Sequence, residues 1–361
     1  MIELVTVLLG CQTQKVTFVN MLKKSLLVLS FLSFFVACKQ KKTEVLPKIS
    51  PTLFATDSIL LITLQMDMHK VFTCQDEEQY HTAMLTYQEK QLPIQVKTRG
   101  NFRKDKEICD FPPLSMLIDS LSALETPFAT HSRLKLVTHC QQLDDTYEQM
   151  VLEEYASYKT YNLFTPKSFK VRLAKITYKD TKDSTYSSEK LAFFLETSKV
   201  MAKRIGGKLV KETDTIQQVA CNSFLMTQMA LFEFMIGNTD WSVSNKHNIA
   251  LVKMPNEQVL PVPYDFDCAG IVDAPYASPS PELRLKSVRE RLYRGYCQSE
   301  AEFYWIVDIF KEKHHAIDSL WENLPYYDVQ RKQKTRKYLD DFYSLLNNKD
   351  SIQWHFLKNC R

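Results

Sequence analysis

Acidic and amide side chains recur at short intervals in one stretch of the second half of the chain. Asp240 is followed by Asn245 and Asn248, and after two short apolar runs come Asp265 and Asp267. Carboxylate and amide oxygens are the hard ligands that Mg²⁺ and Mn²⁺ prefer. A further carboxylate can accept the proton of an attacking hydroxyl group. The pattern therefore predicts a metal–phosphate site, with Asp240 as the catalytic base and the other four residues as candidate metal ligands.

The chain between these polar groups predicts the element that holds them in place. Residues 249–252 and 259–262 are apolar runs, and Pro255 and Asn256 form a turn signal between them. A β-hairpin there would hold both sets of ligands at one end of a sheet. The long apolar segment 213–235 predicts a core helix beneath the site.

Each of these polar residues also has a simpler interpretation. Asp and Asn are common in turns, where their side chains cap backbone groups. Two carboxylates as close as Asp265 and Asp267 repel each other unless a cation lies between them, which favours a metal over two solvated acids. Asn245 has the spacing of the metal ligand in protein kinases, whereas Asn248 stands directly before the strand. Both asparagines remain candidates.

The remaining elements divide the chain into a β-rich part and a mostly helical part. Strand patterns occupy residues 58–65, 82–88, 92–98, 114–118, 133–138, 169–178 and 191–195. Helical patterns occupy residues 147–161, 196–205, 284–294, 300–317 and 329–347.

Lys135 lies in the middle of one predicted strand and is a candidate for binding nucleotide phosphates. Its two leucine neighbours point to the opposite face of the strand. Lys135 therefore faces either a ligand or solvent. A glutamate on the helix predicted at 147–161 could pair with it, and the sequence does not choose among Glu148, Glu153 and Glu154.

Four segments resemble the CotH-type atypical kinases, which are bacterial proteins with a minimal kinase-like fold. These segments are 96–101 (VKTRGN), 133–136 (RLKL), 191–196 (LAFFLE), and the Asp240 loop together with 265–267 (DFD). The resemblance covers about residues 58–296. It implies an α+β, two-lobed atypical protein-kinase-like fold, with a β-rich N-lobe at 58–196 and a helical C-lobe with the catalytic hairpin at 197–361. It also implies a metal-dependent enzyme that transfers phosphate from ATP to a protein.

The resemblance further assigns nucleotide contacts. The chain has no G-x-G-x-x-G loop, so Arg99, Gly100 and Asn101 would take its place. Gly100 would let the backbone approach a phosphate, and Arg99 or Arg103 would supply charge. Glu196 resembles a hinge residue whose backbone binds adenine. Its alternative role is that of an acid favoured at a helix N-terminus.

The N-terminus predicts export and a lipid anchor. A basic pair precedes an apolar run too short to span a bilayer, and the run ends in Phe35-Val36-Ala37-Cys38, which resembles a bacterial lipobox. We expect a signal and lipoprotein segment at 1–38 with lipidation at Cys38, a tether at 39–57, and attachment to the bacterial cell envelope. The alternative is an ordinary cleaved signal peptide. Residues 1–20 are interpreted as the product of a misplaced start codon.

The net charge bears on nucleic-acid binding, and the cysteine content bears on disulfide formation. Without residues 1–37 the basic and acidic residues nearly balance, which provides no electrostatic basis for nucleic-acid binding. Seven cysteines follow Cys38. Cys109 and Cys140 each adjoin a predicted strand and are the best candidates for a disulfide, with Cys74 as an alternative partner.

Three functions are compatible with these features. The leading hypothesis is an envelope-anchored kinase that uses ATP with Mg²⁺ or Mn²⁺ to modify an unknown protein substrate. Because ATP is scarce outside the cytoplasm, the second hypothesis is a catalytically silent relative that binds or assembles proteins at the cell surface. The third is a variant of the same fold that transfers a nucleotidyl group.

Overall fold

The first half of the chain forms a closed barrel of seven strands. The strands are β1 (Leu60–Met66), β2 (His81–Tyr87), β3 (Lys90–Thr98), β4 (Leu114–Ile118), β5 (Arg133–Val137), β6 (Val171–Asp180) and β7 (Ser187–Leu195). They lie in the order β1-β2-β3-β4-β5-β7-β6, and parallel pairing of β1 with β6 closes the barrel. In β1 every second side chain is buried, as expected for a strand with one face on an apolar core.

The computed structural model describes residues 52–74, 76, 78–100 and 102–360. Two residues with roles assigned from the sequence, Cys38 and Asn101, lie outside this part of the chain. So do the signal and lipoprotein segment and most of the tether.

Helices and a small second sheet form the rest of the described chain, so the fold is mixed α+β. The helices are α1 (Met68–Thr73), α2 (Thr146–Phe164), α3 (Ser198–Arg204), α4 (Ser223–Ile236), α5 (Glu300–Glu322), α6 (Val329–Leu346) and α7 (Lys349–Ile352). The second sheet has the order β10-β9-β8, with β8 (Lys208–Leu209), β9 (Ile249–Lys253) and β10 (Val259–Pro263). No helix in the described part of the chain is long and apolar enough to cross a membrane.

One apolar core lies inside the barrel, and a second lies between the outer face of the barrel and the helices. Leu134 and Leu136 of β5 belong to the core inside the barrel, whereas Val137 belongs to the core formed with the helices. Helix α2 packs on the outside of β7 and against α5, and so it joins the two halves. Because side chains alternate along a strand, Lys135 lies on the outer face of the barrel, as the sequence predicts.

The hairpin β9–β10 lies against the apolar helix α4. Helix α4 begins at Asn222, not near residue 213 as the sequence predicts. The Asn222 side chain accepts a hydrogen bond from the backbone of Leu225 and so caps the helix, while the Asn222 backbone N–H donates to Val259 on β10. Tertiary pairing of the preceding segment with the hairpin therefore overrides its helical pattern.

The helix predicted at 284–294 is also wrong. A 3₁₀ turn (Pro281–Leu283) ends at Arg284, whose φ of 55° is left-handed, and no helix follows before α5. The arginines of this segment bind backbone carbonyl groups of other elements instead. Arg291 donates to Met235 and Tyr338, and Arg294 donates to Thr239 and Trp241. These long-range contacts hold the segment in an irregular path.

Two disulfides join described cysteines. One connects Cys109 with Cys140, the pair favoured from the sequence, and the other connects Cys297 with Cys360, which the sequence analysis does not identify. Cys74, the alternative partner, is a free thiol.

Candidate active site

The candidate base Asp240 lies in the loop between α4 and the hairpin. His247 Nε2 lies 2.8 Å from Asp240 Oδ1, and Asn248 Nδ2 donates to Asp240 Oδ2 at 3.1 Å. The Asp240 backbone N–H donates to Asn238 Oδ1 at 3.0 Å. The side chain of Asp240 is nevertheless 47% exposed. The loop therefore orients a carboxylate that a substrate can still reach.

The two candidate asparagines have different surroundings. Asn248 is buried, has a left-handed φ of 54°, and bonds both the side chain and the backbone carbonyl of Asp240. Its own carbonyl accepts a hydrogen bond from Tyr264 N–H at 3.0 Å, directly before Asp265. Asn245 is exposed, and its N–H donates to Ser242 Oγ. The structure thus places Asn248, rather than Asn245, against Asp240 and against the residue that precedes Asp265.

Asp265 and Asp267 follow β10 and differ in access to solvent. Asp265 has a left-handed φ of 66°, its N–H donates to Tyr158 Oη at 2.8 Å, and its side chain is 40% exposed. Asp267 is buried and accepts a hydrogen bond from Tyr276 Oη at 3.2 Å. Burial raises the pKa of Asp267, which the nearby Arg103 partly opposes. Asp265 is therefore the carboxylate that is open to a ligand.

Arg103 lies among these acids as a buried cation. Its Nε is 3.3 Å from Asp267 Oδ2, and one terminal nitrogen is 3.6 Å from Asp265 Oδ1. The other terminal nitrogen is 3.9 Å from Glu154 Oε2. Burial alone would lower the pKa of Arg103, but Asp267 and the other anions raise it well above its usual value. Burial also raises the pKa of Glu154, against the opposing charge of Arg103.

Two more cations, one directly after β3 and one in the middle of β5, interact electrostatically with Asp265. Burial lowers the pKa of Arg99, and its Nε has no hydrogen-bond partner among the described residues. Burial, helped by the charge of Arg99, lowers the pKa of Lys135 to about 8, and the charge of Asp265 opposes this shift. The ammonium group of Lys135 lies 5.7 Å from the ring centre of Tyr264. Next to Arg99, Gly100 has a φ of +93°, and the space where a Cβ would project is open.

The three candidate glutamates of α2 have partners other than Lys135. Glu148 forms an ion pair with Lys190 at 3.1 Å, and Glu153 forms one with Arg331 at 2.6 Å. Glu154 is the one of the three that contacts Arg103 in the cluster of site charges.

Glu196 contributes to the link between the two halves. Its carboxylate binds Arg204 at 2.8 Å, and its backbone N–H donates to the carbonyl of Lys170 at 3.0 Å. The backbone N–H of Glu196 is therefore not available to adenine. An adenine contact at Glu196 would have to use its carbonyl group.

The donor set fits a metal held jointly with phosphates. No group of three or more His, Cys, Asp or Glu side chains among the described residues is arranged to hold a metal alone. Mg²⁺ in phosphoryl-transfer sites is commonly bound by one or two carboxylates together with substrate phosphates. The exposed carboxylate of Asp265 fits this arrangement. Asp267 fits this arrangement less well, because its Oδ2 already contacts Arg103 and Tyr276.

A separate open depression of about 700 Å³ lies beside the hairpin. It is lined by Gly206, Gly207 and Lys208, by the hairpin turn, and by the segment that follows β8. The candidate residues for base, metal and phosphate lie outside it, so its volume does not bear on their assignment.

The sequence does not mark several residues of the site as functional. His247 looks structural from sequence because no second histidine stands at a metal-binding interval, yet it contacts the candidate base. Tyr158 and Tyr276 hold Asp265 and Asp267 by hydrogen bonds. No local pattern marks these tyrosines, since each lies far along the chain from its partner or in an irregular segment.

Comparison with protein-family models and with curated protein sequences gives no match. Among solved structures, the chain is similar to the crystal structure of a Helicobacter pylori proinflammatory kinase, CtkA. The alignment has 11% sequence identity and covers 67% of this chain and 94% of that one, with a TM-score of 0.39. A TM-score this low does not establish a shared fold, and membership of the CotH-type family remains a prediction.

Proposed function

We propose that the chain is a metal-dependent phosphotransferase that moves the terminal phosphate of ATP to a hydroxyl group of a protein. One observation carries this proposal: two partly buried cations, Arg99 and Lys135, interact electrostatically with the exposed carboxylate of Asp265, and the Lys135 ammonium group lies 5.7 Å from the ring centre of the adjacent Tyr264. The pKa of Lys135 is lowered, and Arg99 Nε has no hydrogen-bond partner among the described residues. Both features indicate a positively charged site that can bind an anion. A phosphate bound to a divalent cation would interact with Arg99 and Lys135 through its oxygens and with Asp265 through the metal.

Each residue has a distinct part in this mechanism. Arg99 and Lys135 would hold the phosphates, and the open space beside Gly100 would let the backbone come close to them. Asp265 would bind the metal, with Asn248 as the asparagine best placed to help. A bound Mg²⁺ or Mn²⁺ would neutralise charge that develops on the phosphate oxygens. Asp240, oriented by His247 and Asn248, would receive the proton of the acceptor hydroxyl.

The proposed setting is the bacterial cell envelope, with the lipid at Cys38 as the anchor. Two disulfides among the described residues support an oxidising compartment, because disulfides seldom persist in the cytosol. The two-lobed kinase-like arrangement, with the boundary near residue 196, belongs to the same proposal. Its support is that Lys135 of β5 and Asp265, which follows the hairpin, belong to one charged cluster.

Thermal unfolding with ATP, with and without Mg²⁺ or Mn²⁺, tests the proposal directly. A ligand that binds only the native state, at about 100 times its dissociation constant, adds about 2.7 kcal/mol to stability. We expect a metal-dependent rise in Tm for the wild type and none for Asp265→Ala. Asp308→Ala, on the exposed side of α5, is the matched control and should behave as wild type.

The same protein then distinguishes the alternatives. Intact mass after incubation with Mg·ATP separates an added phosphate from an added AMP. A metal-dependent shift in Tm with no transferred group would favour a catalytically silent binding protein. No shift with any nucleotide would overturn the proposal.

A further inference from the structure

A single arginine contacts three carboxyl groups that come from two separate parts of the chain. Arg103 touches Glu154 of α2 and both aspartates that follow β10, at 3.3 to 3.9 Å. Arg103 is 8% exposed, Glu154 2% and Asp267 9%. Three acids at this separation repel one another strongly unless a cation lies among them. Arg103 is that cation.

The chain that follows Arg103 fixes it in this position. It lies in a 3₁₀ turn (Phe102–Lys104), and the loop that follows is tied by the disulfide from Cys109 to Cys140, just beyond β5. The backbone N–H of Phe111 also donates to the carbonyl of Cys140 at 2.9 Å. A loop held in this way cannot withdraw its arginine without moving the end of a barrel strand.

On the side that faces α2, the cluster leaves no room for a second cation beside Arg103. The cavity lined by Arg103, Glu154, Asp267 and Tyr276 has a volume of about 10 Å³, which is at the lower limit for one water molecule. Mg²⁺ keeps several waters in its shell, so it would not fit there. Glu154 Oε1 lies in the same buried region and has no hydrogen-bond partner among the described residues.

Kinases that use two magnesium ions place the second beside the first, where it neutralises the same acids and phosphates. We propose that Arg103 is a built-in substitute for this second ion, so that the site takes one divalent cation, at Asp265. This inference rests on the proposed function. Asp267 and Glu154 then serve as positioning residues that hold the guanidinium, while Asp265 is shared between Arg103 and the metal.

The first test counts bound metal. Electron paramagnetic resonance of Mn²⁺, titrated into wild-type protein saturated with a non-hydrolysable ATP analogue, should give one bound ion per chain. Two bound ions per chain would overturn the inference. Failure of the analogue to bind at all would instead contradict the proposed function, and the second test then decides the role of Arg103 without nucleotide.

The second test uses Mn²⁺ alone and measures stability. Arg103→Met removes the guanidinium group that lies among the three acids, and both the loss of its charge and the space it leaves should turn these acids into a metal site. At saturating Mn²⁺ the Tm of this variant should rise by about 4 °C, whereas the wild type should not change. Arg103→Met with Asp267→Asn should lose most of the rise.

Arg331→Met is the matched control for a generally weakened protein. It also removes a partly buried guanidinium, but the carboxylate that Arg331 binds is that of Glu153 alone. Mn²⁺ should therefore not raise its Tm. An equal rise in Arg331→Met, or none in Arg103→Met, would overturn the inference. If Arg103→Met does not fold, the neutral variant Arg103→Gln serves in its place, and a folded Arg103→Gln protein whose Tm does not rise with Mn²⁺ would equally overturn the inference.

Discussion

The ring of His247 lies directly against the carboxylate of Asp240, with Nε2 2.8 Å from Oδ1. The second oxygen of Asp240 accepts a hydrogen bond from Asn248. Each carboxylate oxygen thus has its own partner within one short loop, and the group keeps a fixed orientation while almost half exposed. Orientation combined with access is what general-base catalysis requires.

Asp240→Asn should slow transfer strongly while leaving nucleotide binding intact. General-base catalysis contributes about 10²- to 10⁴-fold, so kcat should fall by that factor with Kd for ATP nearly unchanged. His247→Ala removes one hydrogen bond to a charged group and should lower kcat by about 10- to 100-fold. Because both act through one carboxylate, the double variant should be no worse than Asp240→Asn. A His247→Ala protein that loses affinity for ATP and keeps kcat would contradict this role.

Affinity for ATP should fall as pH rises through about 8. The pKa of Lys135 is lowered to about 8 by burial and by Arg99, so the amine is charged below this pH and neutral above it. An anion then has to bind together with a proton, and Kd should rise by up to about tenfold per pH unit above 8. Titration calorimetry from pH 6.5 to 9.5 measures this. Lys135→Arg stays charged throughout and should give a nearly flat profile.

The lowered pKa of Lys135 also predicts how the stability of the ligand-free protein changes with pH. An unfolded lysine has a pKa near 10.4, so between about pH 8 and pH 10.4 the unfolded chain binds more protons than the folded one. The contribution of Lys135 to the free energy of unfolding should therefore increase with pH in this window. Lys135→Met should remove that part of the increase, as measured by urea unfolding at pH 8 and pH 10. If the free energy of unfolding increases equally in Lys135→Met, the increase comes from other titrating groups.

The sequence predicts the strands and the hairpin well because their patterns are local. Period-two burial in β1 and the turn between β9 and β10 are both set by neighbouring residues. The hairpin then brings Asn248 and Asp265 to one end of the sheet without any long-range information. The closure of the barrel is different, because parallel pairing of β1 with β6 joins residues more than a hundred positions apart.

The side-chain partners within the site cannot be predicted in the same way. Glu153 and Glu154 are adjacent in an almost wholly buried stretch of α2, and their directions differ by about 100° around the helix. One meets Arg331 of α6 and the other meets Arg103. Which glutamate faces which cation depends on how α2 packs, and the sequence of α2 alone does not contain that information. Arg103 lies in a loop without periodicity, so nothing local marks it as central.

The ion pair of Glu153 with Arg331 should be important for stability. Arg331 donates two hydrogen bonds to Glu153, at 2.9 and 2.6 Å, and a third to the carbonyl of Val272. Glu153 is almost fully buried, and removal of one partner of a buried pair typically costs about 3–5 kcal/mol. Arg331→Met should therefore lower the free energy of unfolding in urea by that amount. Adding Glu153→Gln should recover part of the loss, and a double variant less stable than Arg331→Met would contradict the pairing.

The disulfide between Cys109 and Cys140 should affect both stability and the site. The two cysteines are 31 residues apart in sequence, for which the loss of loop-closure entropy corresponds to about 3–4 kcal/mol. Replacing both with Ser should reduce the free energy of unfolding by about this amount. It should also weaken ATP binding, because the released loop begins at Arg99 and Gly100 and contains Arg103.

The second disulfide is the matched control for that experiment. Cys297 and Cys360 are 63 residues apart, so their replacement with Ser should destabilise the protein by a similar amount, about 4 kcal/mol. Their disulfide joins the segment before α5 to the end of the chain, away from the phosphate-facing cations. Affinity for ATP, measured on folded protein well below each variant's Tm, should fall for the first pair alone. An equal loss of affinity in both variants would mean that general destabilisation, not the position of the Arg103 loop, governs binding.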